Sequence, residues 1–183
     1  MDELVDHLAE ALEAVDPVVD GLDGAAWSRP VPATAWTAGD LLVHLVDGYR
    51  RTAALVREFP VPPLPAPDTD PGALAAYRAA AYDALAALGE PCVLTRSFVV
   101  ERGSTTGIAA GRALLRETLA HGRDLATATG TTLRIRDRIV ALVLDGGPPE
   151  RSILRPGPAS LVIGTGAAPL DRVPPGCRGR AGP

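Results

Sequence analysis

The sequence predicts an all-α fold, a single helical-bundle domain, and three observations carry that expectation. Hydrophobic residues make up 46% of 183 residues and charged residues 22%, ordinary values for a globular chain long enough to bury one core. Aromatics contribute only 4%, so leucine, alanine and valine must fill the interior; a core rich in alanine and leucine suits close-packed helices better than a sheet sandwich, where β-branched and aromatic residues are usually richer. Apolar residues also recur at helical spacing along several segments.

The first segment, about 2–22, places Leu4, Leu8, Leu12, Val15, Val19 and Leu22 at that spacing. Pro17 lies inside it and is expected to kink or split the last turn, because proline removes a helical hydrogen bond. The connector from Trp27 to Trp36 reads as extended, since each of its prolines restricts the residue before it. Thr37 and Asp40 form an imperfect capping box, and a second long helix should run from there to about Phe59.

Six prolines between Pro60 and Pro71 mark a loop. An alanine-rich helix is expected over about 72–88, followed by 93–102, which has some strand character or serves as an extended link. A fourth and longest helix should begin near Thr106 and end at Gly130 in the C′ role. One more short helix is expected over 134–144. The domain reading is a bundle over 1–145 with a Pro/Gly-rich extension of the same domain over 146–183, irregular and wrapping or fraying.

The net charge of −4, with all non-histidine basic residues being scattered arginines, argues against nucleic-acid binding. No apolar run approaches the roughly 20 residues a bilayer needs, and the acidic start, Met1-Asp2-Glu3, lacks the basic region of a signal peptide; a cytoplasmic protein is expected. Cys92 and Cys177 show no CxxC spacing and indicate neither a disulfide framework nor a zinc finger. HExxH, GxGxxG, the Walker loop and GxSxG are absent.

The chain has three histidines. Glu117 and His121 are four apart and share one helix face, within the stripe Leu114, Glu117, His121, Asp124, Leu125 and Ala128. His44 sits among Leu41, Leu45 and Gly48, neighbours that should point inward. A buried, unpaired carboxylate is costly; two imidazoles and a carboxylate converging on a divalent cation would remove that cost. An N,N,O set of three protein ligands leaves positions open, the pattern of catalytic metal sites. The blander readings are a surface i,i+4 pair for Glu117 and His121, and an ordinary core histidine for His44. His7, among Leu4, Leu8 and Ala11, is read as packing or surface. Asp124 is a candidate acceptor for a ligating imidazole N–H, with surface pairing as the alternative; Arg123 is expected to face solvent.

The run Trp27-x-x-Pro30-Val31-Pro32-x-x-x-Trp36-Thr37-x-x-Asp40-Leu41-Leu42-x-His44-Leu45-Val46 resembles the N-terminal half of actinobacterial proteins of the mycothiol-dependent maleylpyruvate isomerase type, within the DinB/YfiT-like superfamily. Glu117-x-x-x-His121-x-x-Asp124-Leu125-Ala126-x-Ala128-Thr129-Gly130 resembles that family's second signature. Ala33 and Arg123 stand where the family often carries Cys and Trp. The resemblance implies a four-helix bundle with a long crossover, and a divalent metal held by His44, Glu117 and His121, with zinc preferred over nickel or another ion. It implies mycothiol as cosubstrate and a small electrophile as substrate, in a metal-dependent mycothiol S-transferase or maleylpyruvate isomerase-like catalyst. The alternatives are a non-catalytic metal-binding bundle for sensing, storage or protein interaction, and a metal-free scaffold with a buried Glu–His pair. A homodimer is compatible with this reading; nucleic-acid and membrane partners are not expected.

Overall fold

A computed structural model of the chain describes residues 3–32, 34–61, 70–101 and 103–140. Four long helices dominate it: α1 (Glu3–Asp20), α3 (Ala38–Arg57), α4 (Asp70–Leu88) and α5 (Gly107–Thr129), with a single-turn helix α2 (Gly24–Trp27) after the first. Helix α1 packs on α5 and α4, and α3 packs on α4 and α5, which closes a four-helix ring. The chain therefore crosses the bundle diagonally between α1 and α3, and again between α4 and α5.

The core is aliphatic, as the composition requires. Leu8, Leu12, Val15, Leu41, Leu42, Leu88, Leu114, Leu115 and Leu125 are buried, joined by Tyr49 and Tyr77. Alanines 80, 81, 84 and 87 line the inner face of α4, where small side chains let a helix approach its neighbours closely. One contact depends on glycine: a Cβ at Gly122 of α5 would stand 2.5 Å from Cγ2 of Val15 in α1.

Helix ends follow local chemistry. Thr37 and Asp40 form a reciprocal capping box at the start of α3. These bonds hold the Asp40 carboxyl below its ordinary range, the backbone N–H of Thr37 contributing most. Thr106 caps α5 by accepting from the Ala109 N–H, and Gly130 ends that helix in the left-handed region, at φ 74°. The connector before α3 is pinned twice. Pro30 and Thr37 form an isolated antiparallel bridge, and the Arg29 guanidinium donates to the Thr129 carbonyl at the end of α5, 2.9 Å away.

Three expectations change. Pro17 does not split α1, which continues through it to Asp20; one missing backbone bond near a helix end is tolerated when Val15, Val18 and Val19 are all buried around it. The stretch after Cys92 is a 3-10 turn, Val93–Thr95, followed by a hairpin of β1 (Ser97–Val100) and β2 (Gly103–Thr106), not an isolated extended link. Its second strand, Gly-Ser-Thr-Thr, has no apolar alternation to announce it. Cys92 is not a free thiol, which no CxxC spacing foreshadowed. Residues 134–136 are not helical, and a helical turn begins at Asp137; 141–144 of the helix expected over 134–144, the extension over 146–183 and most of the 60–71 loop lie outside the described residues.

Candidate metal centre

Helices α3 and α5 meet side by side, and their contact places the two motifs in register. His44 comes from the middle of α3. Glu117 and His121 come from successive turns of α5, so their shared face follows from the i,i+4 spacing. The buried neighbours of His44, namely Leu41, Leu45 and Gly48, fix which side of α3 faces α5. Leu114, Thr118 and Leu125 do the same for α5.

One carboxylate oxygen lies between the two imidazoles. Oε2 of Glu117 stands 2.9 Å from Nε2 of His121 and 3.8 Å from Nε2 of His44. The two histidine rings meet edge to face, 5.1 Å between centroids. One ligand atom from each of the three residues falls within a 4.8 Å span. Tetrahedral ligands with bonds of about 2.1 Å sit roughly 3.4 Å apart, so the observed spacings bracket what a single ion requires. The donor set fits a borderline divalent ion, with two neutral imidazoles and one carboxylate.

The site is half-buried at the rim of the bundle. Side-chain exposures are 15% for His44, 23% for Glu117 and 21% for His121. The sequence stripe placed these groups beside or within the core face; the structure puts them at its edge, walled by the core on one side and reachable from the other.

On its far nitrogen, His121 faces a second carboxylate, with Oδ2 of Asp124 3.4 Å from Nδ1. Burial works against charging this ring, but the hydrogen bonds and charges of Glu117 and Asp124 outweigh it and raise its pKa above the ordinary value. With both nitrogens facing carboxylates, the imidazolium form is favoured when no cation is present. A cation at Nε2 would replace that proton and leave the Nδ1–H to donate to Asp124, the orientation that ligating histidines commonly show.

The other candidate residues are spread as their sequence positions suggest. His7 is buried in α1 among core leucines, its Nδ1 without a partner among the described residues. It does not join the group formed by His44, Glu117 and His121. Arg123 is exposed. Two features escaped the sequence reading. The Trp36 ring packs on His44, 4.9 Å between centroids, and a buried hydroxyl pair links Tyr49 to Thr118. Trp36 belongs to the first motif, eight residues before His44, but its capped and bridged backbone, which turns it back over α3, is a tertiary property.

Residues 8–126 match the family model described as the mycothiol maleylpyruvate isomerase N-terminal domain. The chain belongs to this family. Two relatives from Mycobacterium tuberculosis, uncharacterized protein Rv0738 (strain ATCC 25618 / H37Rv) and uncharacterized protein MT0763 (strain CDC 1551 / Oshkosh), are each 28% identical over 130 residues, covering 71% of this chain and 69% of the relative. No solved structure gives a significant match. The family carries a mycothiol-related, DinB-like bundle, which agrees with the all-α architecture found here. Among the described residues, no helix is long and apolar enough to cross a membrane.

Proposed function

We propose that this protein binds one divalent metal ion, zinc in the first instance, through His44, Glu117 and His121, and uses it in mycothiol-dependent transfer or isomerisation of a small electrophile. The observation that carries the reading is the Glu117 carboxylate set between two Nε2 atoms from different helices. Three protein ligands leave room for an exogenous one. A bound metal would lower the pKa of a thiol and supply the nucleophilic thiolate at neutral pH.

The chain's own residues supply the rest. Asp124 accepts the Nδ1–H of His121 and so directs its Nε2 toward the shared position. The aliphatic faces of α3 and α5, through Leu41, Leu45 and Leu114, exclude water from the inner side, so that approach is from the rim. Asp124 and Glu117 together make that rim acidic, which favours a cation over an anion at the ligand cluster. The domain reading, a bundle over 1–145 with residues 146–183 as its extension, belongs to the same proposal.

The test is metal analysis of protein purified without an affinity tag, for wild type and for His44→Ala, Glu117→Ala and His121→Ala. Each substitution should remove most of the bound metal, while His7→Ala retains it. Calorimetric titration of the metal-loaded protein with mycothiol then separates two outcomes. Binding supports the thiol-dependent catalyst; metal retention with no thiol binding at millimolar concentration would reduce the protein to a non-catalytic metal-binding bundle. Absence of metal in wild type after incubation with zinc or nickel would remove both.

A further inference from the structure

We propose that Trp36 is a positioning residue for His44; this rests on the metal reading above and deepens it. The two histidines are held in different ways. His121 has a carboxylate at each nitrogen. At His44 the carboxylate oxygen of Glu117 is 3.8 Å from Nε2, longer than a hydrogen bond, and the close neighbours are rings: Trp36, tilted, at 4.9 Å and His121, edge to face, at 5.1 Å. The imidazole is thus held by packing against two aromatic rings.

Trp36 is itself held by its backbone. Its carbonyl accepts from the Val31 N–H at 2.9 Å, its N–H donates to the Thr34 hydroxyl at 3.1 Å, and Thr37, the next residue, is locked to Asp40 at the start of α3. The indole is half-buried against the core. A rigid short segment therefore delivers a bulky flat ring onto the ligand that, among the described residues, makes no side-chain hydrogen bond of normal length. Tilted aromatic contacts of this kind stabilise a ring's orientation beyond what its buried area contributes. Losing the contact frees the χ angles of His44, and metal affinity falls because ordering the ring must then be done at the moment of binding.

The experiment compares zinc affinity of wild type, Trp36→Ala and Trp36→Phe by competition with a chromophoric chelator, while following indole emission during the titration. The alanine variant should bind about 10- to 100-fold more weakly, the range found for lost supporting contacts to metal ligands; phenylalanine should restore most of the affinity. Zinc should also change the emission of wild type, and that change should vanish in Trp36→Phe, leaving the unaffected signal of Trp27. Should Trp36→Ala lose its helical circular dichroism, Trp36→Leu, which keeps bulk without a ring, takes its place with the same expected loss. Wild-type affinity in a folded Ala or Leu variant, or a wild-type emission indifferent to zinc that does bind, overturns the positioning role. Failure of wild type to bind zinc at all would instead sink the metal reading.

Discussion

Tyr49, five residues after His44 on α3, and Thr118, next to Glu117 on α5, share a fully buried hydrogen bond of 2.9 Å. The Thr118 hydroxyl donates to the Leu114 carbonyl within its own helix, so Tyr49 is the donor to Thr118. Burial pushes the Tyr49 phenol up to about 12. The two helices that carry the site are thereby fastened through a polar contact inside an otherwise aliphatic core.

Removing that fastening should cost stability without unpairing a donor. In Tyr49→Phe the Thr118 hydroxyl keeps its bond to Leu114, so the loss is that of one ordinary hydrogen bond, about 0.5–1.5 kcal/mol. Urea denaturation should show a lower midpoint with an unchanged slope.

Tyr77→Phe should behave in the opposite way. Its hydroxyl is buried and, among the described residues, makes no hydrogen bond of normal geometry, having only an electrostatic interaction with the Tyr49 hydroxyl, while its ring stands edge-on to Tyr49 at 5.7 Å. Deleting an unsatisfied buried hydroxyl removes a desolvation cost and leaves the ring contact intact. Thermal unfolding should occur at or above the wild-type temperature; a large drop would show that the hydroxyl has a partner of its own.

Asp124→Asn should weaken zinc binding about 10- to 100-fold while the helical signal stays at wild-type strength. The amide can still accept from the Nδ1–H of His121, but without the charge that strengthens the ligand. Equal affinity in the two proteins would assign Asp124 to the surface.

Acidification should release metal at a higher pH than an unperturbed histidine would dictate. The metal-free His121 has a raised pKa, so the competing proton is held more tightly and apparent affinity should fall as pH drops through the range just above the ordinary value of about 6.5. The sign reverses for the metal-free fold. A raised folded-state pKa contributes stability that is complete below the unfolded value and is lost as pH rises through the folded one. Chelator-treated protein should therefore lose this contribution on going from mildly acidic to alkaline buffer, and His121→Ala should flatten that part of the profile in denaturant melts.

Gly122→Ala should destabilise although alanine is the better helix former. The added methyl would meet Val15 at 2.5 Å. Valine is stiff at χ1, so α1 and α5 must part. Overpacking costs about 1–3 kcal/mol against a propensity gain of roughly 1 kcal/mol, which differential scanning calorimetry would register as a lower Tm.

The helices and their caps were legible because they are local. Thr37 with Asp40, Thr106, and Gly130 announce three helix ends by residue type, and each is used as expected. The shared face of Glu117 and His121 follows from spacing alone. That His44 joins them depends on α3 lying beside α5, which periodicity does not reveal; the paired motifs supplied that link. Trp36 and Tyr49 stayed hidden because their roles arise from which rings and hydroxyls meet across helices. The hairpin stayed hidden because Gly103–Thr106 is polar and takes its strand form from pairing with Ser97–Val100.

The connector ahead of α3 grips both walls of the site. At one end Thr37 and Asp40 bind it to the helix that presents His44; near the other, Arg29 holds the Thr129 carbonyl at the end of the helix that presents Glu117 and His121. A dozen residues thus span the seam as a crossbar. Any slippage between the two donor helices must drag on it, and the indole it carries would register the slip before the ligands themselves had parted.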